Sequence, residues 1–336
     1  MLLSPIGSPS RCLLSLSLCS SLPILPCDLT CDYELDLRLP VELILYIAEL
    51  ATAANRRTAL SLCLVASWVR EAVLPLLYNT VVLQGSSTPA PFVDPYFIFE
   101  RHLPGPLRHI QQLWADISPE HAPHSLNGCY NLTRIALPLD AAETICRSDV
   151  WFDVDFPGVT PCRDFTVLGQ SHPMRWAPLT TSLEGRDFLR GLTHLRLLNM
   201  CLSHYIPLEY TPNLTHLCIP FFDLHLLSMD GQSNGTEFNA LDYILLQPHL
   251  RMVVLTLNPR YWRFEHQTLK SWAILAMRKD ERLYVVASTR QDATRDWEDA
   301  RRDWENEASG GDSIWDKAVQ VRCKLLARLS RTPTEL

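Results

Sequence analysis

Between Leu37 and Leu83 the apolar positions fall into three short helical registers. Val41, Ile44, Leu45, Ile47 and Ala48 recur at helical spacing and predict a first helix with one broad apolar face. Pro40 fits its first turn, where the backbone N–H groups have no partner, and Glu42 suits the positive end of the helix dipole. The small and polar run Ala51–Arg57 ends the periodicity. A second helix is predicted over Thr58–Ser67, with Leu60, Leu64 and Val65 pointing one way. Trp68 marks the join to a third, whose apolar face is Val69, Val73, Leu76 and Leu77 and which Pro75 should bend or end. Thr80–Leu83 then opens a strand. Val73, Leu76 and Leu77 are expected to be buried against the domain that this strand begins. The Leu39–Ile47 edge, Val65 and Trp68 should stay partly exposed.

After a Gly/Ser/Pro-rich connection over 84–95 the period changes from helical to alternating. The phrase Leu-Thr-x-Leu-x-Leu, or a close variant, recurs at Asn131–Leu137, Gly191–Leu198 and Asn213–Ile219. Looser copies stand at Pro106–Leu113, His249–Leu255 and Glu281–Val286, and Asp164–Leu168 is a further strand candidate. Helix-like segments intervene at Pro138–Arg147, Glu237–Gln247 and Gln267–Arg278. Strand followed by helix, repeated in one direction, predicts a parallel sheet with helices on one side. In the tail, Arg295–Asp299 is echoed by Arg302–Asn306, which puts Trp297 and Trp304 on one face of a charged helix, two turns apart. This helix is expected to cap the last repeat or to bind a partner. Gly310-Gly311 should end it, and Ile314–Leu329 should form a last amphipathic helix carrying Trp315, Val319 and Leu326.

Leu39-Pro40-x-Glu42-Leu43-Ile44-x-x-Ile47, Leu60-x-x-Cys63-Leu64-Val65-Ala66-x-Trp68 and Leu76-Leu77-Tyr78 together resemble the F-box, in texture the F-box-like domains of mushroom-type fungi. The resemblance implies a three-helix unit that binds the small adaptor of a cullin–RING (SCF-type) ubiquitin ligase, with Leu39, Pro40, Ile44, Ile47, Val65 and Trp68 as the binding positions. The connection Ala53–Arg57 departs from the family in lacking acidic character. The recurring phrase resembles a degenerate leucine-rich repeat without its asparagine ladder. The expected fold class is therefore α+β or α/β: a poorly ordered extension (1–34), an F-box-like helical unit (35–83), an irregular leucine-rich-repeat-like α/β solenoid (84–290) and a charged helical tail (291–336). The corresponding function is substrate recruitment, with the repeat domain holding an unknown protein target, in the cytoplasm or nucleus. A repeat-domain scaffold without a ligase role, and a secreted enzyme with an unfamiliar site, are the alternatives.

Composition narrows these. A formal charge of −7 lacks the basic surplus of a general nucleic-acid binder. The eleven cysteines are irregularly spaced, and Cys27 and Cys31 have no second pair to complete a zinc site, so scattered reduced thiols are expected and no metal or cofactor. Residues 1–32 faintly resemble a signal peptide, but Pro23 and Pro26 cut an apolar run too short to span a bilayer. No membrane partner is expected. The sequons at Asn131, Asn213 and Asn234 are taken as coincidental. No nucleophile elbow or phosphate-binding glycine loop occurs. His194 and His216 belong to the repeat phrase, Cys162 has no evident base near it, and Asp149, Asp153 and Asp155 interleave with aromatics in what reads as a loop. No catalytic residue is assigned and the chain is expected not to be an enzyme.

Overall fold

The computed structural model describes residues 40–84, 106–120, 131–147, 162–170, 173–199, 206–221, 236–257, 276–287 and 296–329, with the single residues 122, 129 and 274. The chain divides into two compact units, Met1–Val41 and Glu42–Leu336. Of the first, Pro40 and Val41 are described, and Val41 begins a helix.

Three helices lead: α1 (Val41–Ala54), α2 (Arg56–Leu62) and α3 (Ser67–Tyr78). The second helix is shorter than the pattern predicts and begins earlier. Asn55 starts it by accepting from the Arg57 N–H at 2.8 Å. Pro75 does not end α3, which runs three residues past it to Tyr78. Proline removes one backbone donor, and Val73 and Leu77 on either side of it are buried and hold the last turn down. Leu76 is not buried with them: it faces outward at 40% exposure.

Eight parallel strands complete the core of the chain: β1 (Thr80–Gln84), β2 (Gln112–Asp116), β3 (Arg134–Pro138), β4 (Asp164–Gln170), β5 (His194–Asn199), β6 (His216–Phe221), β7 (Met252–Leu257) and β8 (Leu283–Ala287). They pair strictly in sequence order. The fold is thus α/β, with an eight-stranded parallel sheet. The phrase Leu-Thr-x-Leu has a physical reading in this sheet. Thr133, Thr193 and Thr215 each sit one residue before a strand, and each hydroxyl donates to a carbonyl of the preceding unit at 3.1 Å: Gln111, Arg163 and Thr193. The same carbonyls accept two successive backbone N–H groups, as when Gln111 O takes those of Thr133 and Arg134. Asn131 and Asn213 add amide donors to the Arg108 and Arg190 carbonyls, so both sequons belong to turns that stitch neighbouring units. Asn234 lies outside the described residues.

Residues of each strand alternate between two faces. Leu113, Ile135, Phe165, Leu195, Leu217, Val253 and Leu283 point to one face and share an apolar core with α4 (Leu139–Arg147), α5 (Pro173–Thr181), α6 (Leu183–Gly191) and α7 (Thr236–Leu245). Packing between α5 and α6 is close enough that a Cβ on Gly185 would collide with the Leu179 backbone carbonyl. Residues 276–279 add a further helical turn, the described end of the predicted helix Gln267–Arg278.

The other face is covered as well, which corrects the expectation of helices on one side. The tail folds as α8 (Asp296–Ala308) and α9 (Ile314–Leu329) and lies over the strands instead of only closing the last unit. Ala300, Trp304 and Ala308 of α8 pack on Val82, Trp114, Ala136, Leu168 and Leu198 from β1 to β5. Ile314, Trp315 and Ala318 of α9 pack on Cys218, Met252, Val254, Tyr284 and Val286 from β6 to β8. The buried side of α9 is therefore this set, and Val319 and Leu326, predicted to share it, face outward. Side-chain detail at Trp297 lies outside the described residues.

Candidate functional site

Two surfaces carry features beyond what folding requires. The first is on the three-helix unit. Its small core consists of Ala48, Ala59, Val69, Val73 and Leu77, with Leu62, Cys63, Ala66 and Tyr78 around it. Tyr78 also packs on the sheet's apolar core, and α3 runs directly into β1. On α1 the inward stripe is Ile44, Ala48, Ala51 and Thr52, which are buried or half-buried. The bulkier stripe Leu43, Tyr46, Ile47 and Leu50 faces out. Its spacing is that of a single helix face. Burying alanine inward lets α1 approach closely while the large side chains stay exposed.

Among the predicted binding positions, Ile47 is 53% exposed, Val65 71% and Trp68 44%, and Ile44 is half-buried. Pro40 is exposed, and Leu39 lies outside the described residues. Val65 sits in the turn between α2 and α3, and Trp68 in the first turn of α3, with Leu64 exposed in the same turn and Leu60 exposed on α2. Leu43, Tyr46, Leu50 and Leu64 were not singled out as binding positions, although their helical register was available. Contiguous exposed apolar side chains of this size mark interaction surfaces in folded proteins.

The second surface is the sheet face under the tail. At the strand starts the paired register runs Gln112, Arg134, Asp164, His194, His216. Arg134 Nε donates to Asp164 at 2.8 Å. The His194 and His216 rings stack with centroids 4.3 Å apart, and Trp315 meets both edge-on. Burial lowers the pKa of both imidazoles, that of His216 to about 4, with His194 and Arg251 adding to the effect. One row further along, Arg196 Nη1 donates to Glu307 Oε1 of α8 at 3.0 Å. The same oxygen accepts the Ile314 N–H, so Glu307 fixes both the sheet contact and the start of α9. Burial raises the Glu307 pKa, and Arg196 opposes it. Trp114 and Trp304 meet edge-to-face at 5.8 Å.

The turn joining α8 to α9 is well defined. Gly310 has φ of +87°, and Gly311 N–H returns to Asn306 O. Ser313 and Asp316 exchange hydrogen bonds as a capping box at the start of α9. Beneath this turn lies a cavity of about 430 Å³, lined in part by Gln112, Arg134, Asp164, His194, Glu307 and Trp315. Its two acids are already paired with arginines, and Arg163 adds a further positive charge to the lining.

Among the described residues no group of three or more His, Cys, Asp or Glu is placed to hold a metal ion. Burial raises the thiol pKa of Cys129 and Cys146 to about 12 and that of Cys162 still further, which suppresses thiolate chemistry there. Asp149, Asp153 and Asp155 lie outside the described residues. No described helix is long and apolar enough to cross a membrane. Comparison of the chain with protein-family models, with curated proteins and with solved structures finds no match.

Proposed function

We propose that the chain is a substrate-recruiting adaptor of a cullin–RING ubiquitin ligase, working in the cytoplasm or nucleus. In this reading the three-helix unit is F-box-like and binds the ligase's small adaptor protein, and the sheet domain is a degenerate leucine-rich-repeat-like solenoid that holds a protein target. The observation that carries it is the outward stripe Leu43, Tyr46, Ile47 and Leu50 of α1, together with exposed Val65 and Trp68. A marginal three-helix core has little reason to turn its largest apolar side chains to water unless a partner covers them. Ubiquitin transfer takes place on other subunits, so this chain supplies contacts and no catalytic group, cofactor or metal.

The test is co-purification of the full chain with the ligase adaptor. Ile47→Asp with Trp68→Ala places a charge in the stripe and removes the exposed aromatic of α3, and Leu39→Asp with Pro40→Ala alters the two positions that precede α1. Each double variant is expected to lose the adaptor while keeping the wild-type circular dichroism spectrum. Retention of the adaptor by both variants would overturn the reading.

A further inference from the structure

We propose that the sheet face beneath α8 is a helix-receiving surface, that α8 is its resident occupant, and that the target enters as an acidic amphipathic helix carrying a tryptophan three residues before a glutamate.

The two faces of the sheet are built differently. On the helix side the core is apolar along every strand. On the tail side Trp114, Ala136, Leu168 and Leu198 are interrupted by Thr166 and by Arg196, which is 8% exposed and paired with the 6% exposed Glu307. A permanent layer gains nothing from such a pair, because apolar residues of equal size stabilise at least as well. A recognition surface does gain, because a buried charge rejects every helix that lacks its counter-charge. Arg196 Nε and Trp304 Nε1 are buried there without hydrogen-bond partners. Central Trp and Arg side chains are what interface hot spots are made of.

The tail is also separable. Among the described residues, no backbone-to-backbone hydrogen bond joins residues 296–329 to the rest of the chain. β8 pairs with β7 along its whole length through bonds that do not involve the tail. What fastens it is side chains: the apolar packing of α8 and α9 on the sheet, the Arg196 pair, Gln112 donating to Ala308 O, and Arg322 donating to Glu281 O while lying over the Tyr284 ring. α8 carries six acidic residues and two arginines; of the arginines on the strand rows beneath it, Arg134 is paired with Asp164 of β4 and Arg196 is met by Glu307 of α8. An incoming helix must match that charge pattern, and it competes with a tail held at high effective concentration by its own tether.

This names the partner class for the target half of the proposed function and rests on that reading only in calling the incoming helix a target. The exchange itself is measured without any ligase component, so the two can fail separately. A protease cleavage sequence inserted after Asp292 of the full chain leaves every described contact intact and lets the tail be nicked. A fluorescent peptide spanning residues 293–329 is then added and followed by native mass spectrometry and circular dichroism. The peptide is expected to replace the nicked tail while the fold persists. A peptide with Glu307→Gln should bind at least about tenfold more weakly. In the nicked protein Glu307→Lys should speed replacement, and Arg196→Glu with Glu307→Lys should slow it again. No replacement over hours, replacement only as the domain unfolds, or equal binding of the Glu307→Gln peptide would each overturn the proposal. The nicked wild type carries the test even if Glu307→Lys does not fold.

Discussion

Arg196 in the middle of β5 and Glu307 near the end of α8 meet at 3.0 Å with less than a tenth of either side chain exposed. Removing one partner strands the other charge, so Glu307→Gln is expected to lower unfolding stability by about 3 kcal/mol. Arg196→Met with Glu307→Leu removes both charges and should return to within about 1 kcal/mol of wild type. Urea denaturation of Glu307→Gln, of Arg196→Met and Glu307→Leu singly, and of that pair together closes the cycle.

Trp304 is buried against Trp114, whereas Trp68 is 44% exposed. Trp304→Ala is expected to cost about 3–5 kcal/mol, and Trp68→Ala no more than about 0.5 kcal/mol. Thermal denaturation of the two variants side by side checks the difference.

Thr193→Val keeps the β-branched shape and deletes the hydroxyl that donates to Arg163 O. The expected loss is about 1 kcal/mol. Raised hydrogen exchange should be confined to β4 and β5, because each rung joins only neighbouring units.

His216 is held well below the usual 6.5, at about 4, so the unfolded chain binds its proton more readily than the folded one between those values. Its contribution is therefore complete above pH 6.5 and is lost as pH falls towards 4. Glu307 and Asp164, raised by burial, act in the opposite direction as acid is added. The diagnostic quantity is thus a difference: His216→Gln should lose less stability than wild type between pH 7 and pH 5, measured by urea midpoints.

Gly185→Ala drives a methyl into the Leu179 carbonyl, where backbone and not a flexible side chain must give way. A loss of about 1–3 kcal/mol is expected from the thermal midpoint.

Much of the sheet was legible because its signal is doubled. Thr133, Thr193 and Thr215 mark strand starts by their hydroxyls, and alternating leucines mark the buried face. The pair α5 and α6 was not legible: Pro178 and the polar run around Thr180–Ser182 break the apolar period, although Trp176, Leu179, Phe188 and Leu189 are buried. The covering of the second face was also missed. A charged helix with one tryptophan every two turns looks like a solvated cap, and the contact depends on Ala300, Ala308 and Ala318, whose small side chains carry almost no pattern signal. On α1 the sequence shows a wide apolar face but not which part of it turns inward. Ala48 decides that, because its size allows the close approach that Ile47 would prevent.

The sequential strand order has a consequence for synthesis. Strands leave the ribosome in the order in which they pair, so the sheet can grow by adding one neighbour at a time. α8 is made after all eight strands. Until residue 308 has emerged, the nascent chain carries Trp114, Ala136, Leu168 and Leu198 with no cover. The sheet can therefore be complete before its second face is closed.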